Sequence, residues 1–305
     1  MCPVRGAPTM AGMHSGLSQL LEAQGGVVTC AQALAFLSRR GLEAHMNSGV
    51  LHRLWYGVYG HGEVTTALRL RGLDLAAGAR VAACMGTAAA AYGFDTERTT
   101  DLHVLNPGGR QLRSTDGLVV HRRAGAPLTM IGGRPATTPA WTAIELARTL
   151  RRPRALATLD AALRSGNCSR DELGRAVDLQ SGRRGIVAVR ALLDWASPLS
   201  ESPMESEARL VMIDGGLPPP VLQYEVIDLQ GCRWRLDFAW PGLRVAAEYD
   251  GVDWHSGPDA FVRDRRRSST LQELGWLIVP IVAGDVRYRP GELVRRLETQ
   301  LRRAA

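Results

Sequence analysis

The chain has 305 residues, 45% of them hydrophobic and 22% charged, which fits about two soluble globular domains, and no run approaches the roughly 18 apolar residues a membrane-spanning helix needs. All 37 basic residues are arginine, so a Walker A loop, a Schiff base and a lysine general base are excluded, and the five scattered cysteines form no CxxC pair for a zinc ribbon or disulfide framework. Residues 1–200 carry 23 arginines against 14 acids and residues 201–305 carry 14 against 16, a basic front and an acidic back that fit a nucleic-acid-binding half followed by a carboxylate-bearing half.

Residues 1–13 have no periodicity and read as disordered, without the basic-then-apolar pattern of a signal peptide, so a cytoplasmic location is expected. A short amphipathic helix over 15–24 stops at Gly25 and Gly26. Thr29 is an N-cap for a helix to Leu37, Gly41 breaks the chain, and a third helix runs from Leu42 to Met46. The β-branched and aromatic residues of SGVLHRLWYGVYGHG, 48–62, predict a hairpin. Three helices and a hairpin are the winged helix-turn-helix pattern, which would put His52, Arg53, Trp55 and Tyr56 near the phosphates of double-stranded DNA. A helical cap for a partner protein fits the same pattern. GGVVTCAQAL and the hairpin together resemble the N-terminal winged-helix domain of AbiEi-type antitoxins. That resemblance implies a transcriptional autorepressor of a type IV toxin–antitoxin locus, with a toxin-like protein as a further partner.

In the middle region, 63–200, an Ala-rich helix is expected over 77–92, then strands near 101–105, 118–123 and 128–131. Thr138-Pro139 opens a helix to Leu150, and two or three more helices fill 153–196. GTAAAAYG, TTPAWTAIELAR and LDAALRSG resemble the region that follows the winged helix in AbiEi-like proteins. No catalytic constellation is visible here, and His103 and His121 read as strand or surface residues. PLSESP, 198–203, is the expected hinge. The expected domains are therefore 1–62, 63–200 and 201–305 in an α+β multidomain chain.

The last hundred residues read α-β-β-β-α-β-α: a helix over 204–214, strands over 222–228, 234–240 and 244–250, a helix over 259–274, a strand over 276–281 and a helix over 292–303. Asp237 lies in RWRLDFAW, and Glu248 and Asp250 are two apart on the next strand, on one sheet face. Carboxylates in buried strands are costly unless paired or metal-bound, and such a set suits Mg²⁺ or Mn²⁺, with Glu205 as a further ligand.

This ordered pattern, ESEARL through RWRLDFAWPGLRVAAEYDG to WH and RDRRRSSTLQELGW, resembles the PD-(D/E)xK nuclease fold and, within it, the endonuclease-like domains related to very-short-patch-repair endonucleases. The resemblance implies a C-terminal α/β restriction-endonuclease-like domain. It departs from the family where Asp250 replaces the usual lysine and His255 is the sole histidine of the last hundred residues. On this reading Asp237, Glu248 and Asp250 hold the metal and Glu205 supports it. His255 moves the proton, and Asp264 and Arg267 position the phosphate. Two functions follow: a metal-dependent DNA endonuclease with a winged-helix targeting module, or a non-enzymatic antitoxin-type regulator whose nuclease-like domain pairs its acids with Arg263, Arg266 or Arg267.

Overall fold

A helix-rich segment wrapped on a small antiparallel sheet begins the computed structural model, which describes residues 13–94, 96–97, 100–108, 112–251 and 258–305, with side chains for all of these except 258–265. The chain divides into two compact units, 1–91 with 98–138 and 92–97 with 139–305. The mixed α+β composition expected from sequence is what both contain.

The first unit starts with α1 (Ser15–Ala23), β1 (Val27–Thr29), α2 (Cys30–Leu34), α3 (Arg39–Asn47), β2 (Leu51–Trp55) and β3 (Val58–His61). Gly25 and Gly26, at φ of +66° and +91°, turn the chain from α1 into β1 with backbone that L side chains rarely adopt. Thr29 and Gln32 form a reciprocal capping box at the start of α2. The strands pair antiparallel in the order β1-β3-β2. Their alternation serves two cores. Val28, Leu51 and Tyr59 pack with Leu17, Leu21 and Leu42 of α1 and α3. Val27, Leu54, Trp55 and Val58 pack on the other face against Leu68 and Leu73.

Those leucines belong to α4 (Thr66–Ala77), an element the sequence did not announce. Thr65 caps it, its hydroxyl accepting from the Leu68 N–H. Its buried residues include Leu68, Leu70, Gly72 and Leu73, which do not fall in one narrow stripe, so no clear helical period marks it. The helix expected over 77–92 accordingly starts later, as α5 (Met85–Tyr92). Strands β4 (Leu102–Leu105) and β5 (Leu118–His121) pair parallel, and β6 (Leu128–Ile131) and β7 (Arg134–Thr137) pair antiparallel. Ala83 bridges to both Val104 and Ala136 and joins the two pairs.

The second unit contains α6 (Pro139–Ala147), α7 (Arg152–Arg164), α8 (Arg170–Leu179), α9 (Ile186–Arg190) and α10 (Pro203–Asp214). Then come β8 (Val221–Ile227), β9 (Arg233–Trp240), β10 (Val245–Tyr249), α11 (Pro258–Glu273), β11 (Leu277–Ile281), α12 (Ala283–Arg287) and α13 (Pro290–Ala304). The sheet order is β11-β10-β9-β8, with β10 and β11 parallel across the α11 crossover and the other pairs antiparallel. One face buries Phe238, Trp240, Val245 and Ala247 with Met212 of α10 and Leu293, Leu297 and Leu301 of α13. The other buries Leu236, Ala239 and Ala246 with Leu271 of α11 and Trp276.

The alternation breaks at one place. Leu236 and Phe238 are two apart yet lie in opposite cores, and so do their partners Tyr224 and Leu222 on β8. Between them Gln223 takes a left-handed φ of +50°. The β8–β9 ribbon therefore turns over at Gln223 and Asp237, as strands do at bulge-like irregularities, and this re-aims both side chains.

Candidate functional site

Asp237 stands at that break, half-buried. Its Oδ2 accepts the Tyr249 N–H at 3.0 Å, and its Oδ1 accepts from Gln223 Nε2 at 3.5 Å. Glu205, in the first turn of α10, is buried; its Oε2 accepts from the Glu201 N–H at 2.8 Å and from Gln223 Nε2 at 3.2 Å. The Gln223 amide thus sits between two carboxylates. Burial raises the Glu205 carboxyl above its ordinary range, and the neighbouring Asp237 charge adds to the rise. Among the described residues Gln223 Oε1 is buried without a hydrogen-bond partner.

Glu248 is placed differently. Regular alternation along β10 sends it toward α11, where both its oxygens are taken by the Arg267 guanidinium. Arg267 also donates to the Arg235 carbonyl at 2.9 Å. Asp250 lines a cleft of about 380 Å³ together with Glu248 and Arg267, and its N–H donates to the Ile281 carbonyl at 2.8 Å. The acids expected to converge therefore fall into two groups: Glu205 and Asp237 around Gln223, and Glu248 and Asp250 beside Arg267. The physical reason is the turnover at Asp237, which a strict period of two does not foresee. Among the described residues no group of three or more His, Cys, Asp or Glu is placed to hold a metal ion. His255 and Trp254 lie outside the described residues, as does the side chain of Asp264.

Gln223 was not singled out from the sequence. The signal for it is the register: Leu222 pairs with Phe238 and Tyr224 with Leu236, which sets Gln223 opposite Asp237.

The rest of α10 serves structure. Glu207, 1% exposed, is bonded by Arg154 at 2.9 Å and by Arg287 at 2.9 Å. Arg209 bonds the buried Asp160 at 2.6 Å and the Trp195 carbonyl at 2.7 Å. Burial pushes the Asp160 carboxyl up, against the opposing pull of Arg209. The acids and arginine of ESEAR thus join α7 and α12 to α10, apart from Glu205.

In the first unit, the β2–β3 hairpin tip carries Tyr56, 92% exposed, next to Gly57 at a φ of +69°. The exposed Arg53 guanidinium lies 5.5 Å from the centre of the Tyr56 ring, and His52 is half-buried. Trp55 differs from its expected role. It is 8% exposed, its indole N–H donates to the Arg69 carbonyl at 2.8 Å, and it packs against α4. Its aromatic bulk fills the core beneath the hairpin, so no ring face is offered to a phosphate.

Helix α3 also differs from expectation. Ser38 caps it, accepting from the Gly41 N–H at 3.1 Å, so Gly41 lies inside the helix and the exposed Arg39 and Arg40 open it. Gly41 reads as a helix stop in the sequence, yet Ser38, three residues ahead of it, caps the helix and brings both arginines into its first turn. His103 and His121, on the paired strands β4 and β5, are in direct contact, Nδ1 to Nε2 at 2.9 Å.

Residues 81–195 match the family model of the AbiEi antitoxin C-terminal domain. The segments GTAAAAYG, TTPAWTAIELAR and LDAALRSG lie within that range, and the helix–hairpin segment before Val81 precedes it. Two curated proteins of Mycobacterium tuberculosis are similar over most of the chain: the uncharacterized protein MT2308 of strain CDC 1551 / Oshkosh and the uncharacterized protein Rv2248 of strain ATCC 25618 / H37Rv. Each is 56% identical over 268 residues, which cover 88% of this chain and 98% of the relative. No helix among the described residues is long and apolar enough to cross a membrane.

Proposed function

The chain belongs to the family of MT2308 and Rv2248, and from that premise we propose that it is a DNA-binding regulator of the antitoxin type. The observation that carries this reading is the AbiEi antitoxin C-terminal domain match over 81–195. The segment before it, α1 to β3, is then a winged helix, with α3 as the helix for the major groove and the β2–β3 hairpin as the wing. Arg39 and Arg40 would meet the DNA at the start of α3, and Arg53 and Tyr56 at the hairpin tip. His52 flanks them, and Trp55 holds the hairpin in place. A toxin of the nucleotidyltransferase type is the protein partner this reading implies. Residues 201–305 act in it as a scaffold, with Glu248 neutralised by Arg267.

Fluorescence anisotropy with the full chain and duplex DNA from its own upstream region tests the proposal. Affinity is expected to fall steeply between about 50 and about 200 mM salt, because each phosphate contact releases counterions. The double substitution Arg40→Ala and Arg53→Ala should lower the slope of log K against log salt by about 2, roughly one unit per lost contact. Absence of binding at the lower salt, or a slope the substitutions leave unchanged, would remove the proposal.

A metal-dependent endonuclease is the second reading, favoured by the buried Gln223 Oε1 beside Glu205 and Asp237. The amide nitrogen now faces the two carboxylates. A half-turn of the amide would exchange it for Oε1 and present three hard oxygens, which fit Mg²⁺ or Mn²⁺. A metal held there by Glu205, Gln223 and Asp237 would supply an activated water for phosphodiester hydrolysis. His255 would carry the proton and Asp264 would position the phosphate, while Glu248 and Asp250, grouped beside Arg267, stand outside that metal set. Nicking of supercoiled plasmid with Mg²⁺ that Asp237→Ala abolishes would establish this second reading. Intact plasmid with parent and variant alike would leave the regulator standing alone.

A further inference from the structure

A cleft of about 590 Å³ opens in the first unit between α4, α5 and the turn that joins β6 to β7. That volume lies in the range of small-molecule pockets, roughly 300–1,000 Å³. Its walls carry three arginines, Arg71, Arg80 and Arg134, against one carboxylate, Asp74. Asp74 is already committed: it receives both terminal nitrogens of Arg134, at 2.9 and 2.6 Å, and the Val81 N–H at 2.8 Å. Arg71 donates to the Gly25 carbonyl and Arg80 to the Gly133 carbonyl, partners that carry no formal charge. Two guanidinium charges therefore remain uncompensated by these bonds at the rim. Both side chains are exposed and long, so swinging one to an anion costs little more than one hydrogen bond to a neutral carbonyl.

The positive end of α4 adds to the same field, because Thr66 and Ala67 of its first turn line the cleft. The rest of the lining includes apolar groups: the buried Leu70 of α4, the half-buried Ile131, and the exposed Ala90 and Ala91 of α5. An inorganic ion would fill only a fraction of this volume. Arginines beside apolar walls fit a molecule with one anionic group on a short apolar body.

We propose that this cleft binds a small organic anion, a phosphate monoester or a carboxylate, with Arg71 and Arg80 on the anionic group and Leu70, Ala90 and Ile131 against the body. The site uses none of the residues proposed to contact DNA and none of the acids of the second unit, and it does not depend on either reading of function.

Isothermal titration calorimetry of the full chain with phenyl phosphate, phenylacetate and benzyl alcohol, at one ionic strength, tests it. At least one of the two anions is expected to bind saturably at one per chain, and the better of them names the headgroup. Benzyl alcohol, the neutral counterpart, should bind about 10-fold or more weakly, since charge-assisted hydrogen bonds are lost. Arg80→Gln should weaken the anion about 10-fold. Ala90→Trp fills the cleft from an exposed position on α5 and should weaken it as much, with an unchanged melting temperature; it decides the matter if Arg80→Gln disturbs the fold. Arg302→Gln, on the exposed end of α13, should bind as the parent does. The proposal is overturned by no saturable heat with either anion, by equal binding of benzyl alcohol, or by Ala90→Trp binding as the parent does.

Discussion

In the first unit Arg69, Arg71 and Arg80 end on backbone carbonyls of Thr100 and Gly117, Gly25 and Gly133, and Arg134 alone of this group is held by an acid, Asp74. In the second unit Arg154 and Arg287 end on Glu207, Arg209 on Asp160 and Arg267 on Glu248. Residues 1–91 and 98–138 carry 13 arginines against 6 acids, and residues 92–97 and 139–305 carry 24 against 24. Where acids are scarce, arginines tie loops together through oxygens that carry no formal charge. Where acids are plentiful, Arg154, Arg209, Arg267 and Arg287 tie helices to neighbouring elements through carboxylates, while Arg164, Arg170 and Arg244 still end on carbonyls. A basic count alone does not separate these uses; the partner of each guanidinium does.

The largest expected effect lies in the second unit. Glu207→Ala would leave Arg154, 13% exposed, and Arg287 without the carboxylate they share, and breaking a buried pair from one side costs about 3 kcal/mol or more. Urea unfolding should show this as a lower midpoint with an unchanged slope. A loss well under about 1 kcal/mol would mean that Glu97 and solvent compensate, and the contrast between the units would fail at its strongest point.

A smaller effect is expected at Arg69. Its guanidinium donates to Thr100 and Gly117 at 2.9 and 2.7 Å and stacks on Trp55 at 4.9 Å. Arg69→Ala should cost about 1–2 kcal/mol, the sum of modest carbonyl bonds and a cation–π contact. Thermal melts at low and high salt sharpen the comparison. Bonds to neutral carbonyls should make the loss nearly independent of salt, and a strongly salt-dependent loss would point to an acid as the true partner.

The smallest effect is a pH dependence at Glu205. Burial raises its carboxyl above the ordinary value of 4.5, so the fold favours the protonated form. Its contribution to stability is fully present below about pH 4.5 and is lost as pH rises through the raised value. Glu205→Gln cannot ionise. It should be more stable than the parent near neutral pH, by a margin that closes as pH falls below about 4.5. A margin that does not change with pH would show that the Gln223 amide already compensates the charge in full.

Much of the fold was legible because local rules and tertiary packing agree. Thr29 caps α2, Gly25 and Gly26 stop α1, and β9, β10, α11 and β11 lie within a residue or two of where period and turn residues put them. The misses share a cause. β1, β7 and α12 are three to five residues long, too short to show a period, and α4 buries residues on several sides, so its pattern carries no clear stripe. Trp55 lies in the predicted wing and so reads as a contact residue, but its N–H and its ring are both engaged beneath the hairpin.

The sequence by itself determined the basic front, the exclusion of lysine chemistry, the order of elements in the last hundred residues apart from α12, and the presence of Glu205, Asp237, Glu248 and Asp250 in or beside neighbouring elements. Those are properties of composition and local period, which chain order carries in full. Only the tertiary structure decided that 63–91 and 98–138 fall in one unit with the N-terminal helices, and that 139–200 falls in the other, where α7 is tied to α10. It also decided which acids meet. A left-handed Gln223 turns the β8–β9 ribbon over, so Asp237 shares the Gln223 amide with Glu205 while Glu248, on the regular strand β10, reaches Arg267. The direction of a strand side chain depends on every backbone angle before it, and one residue of unusual φ reverses what the period of two predicts.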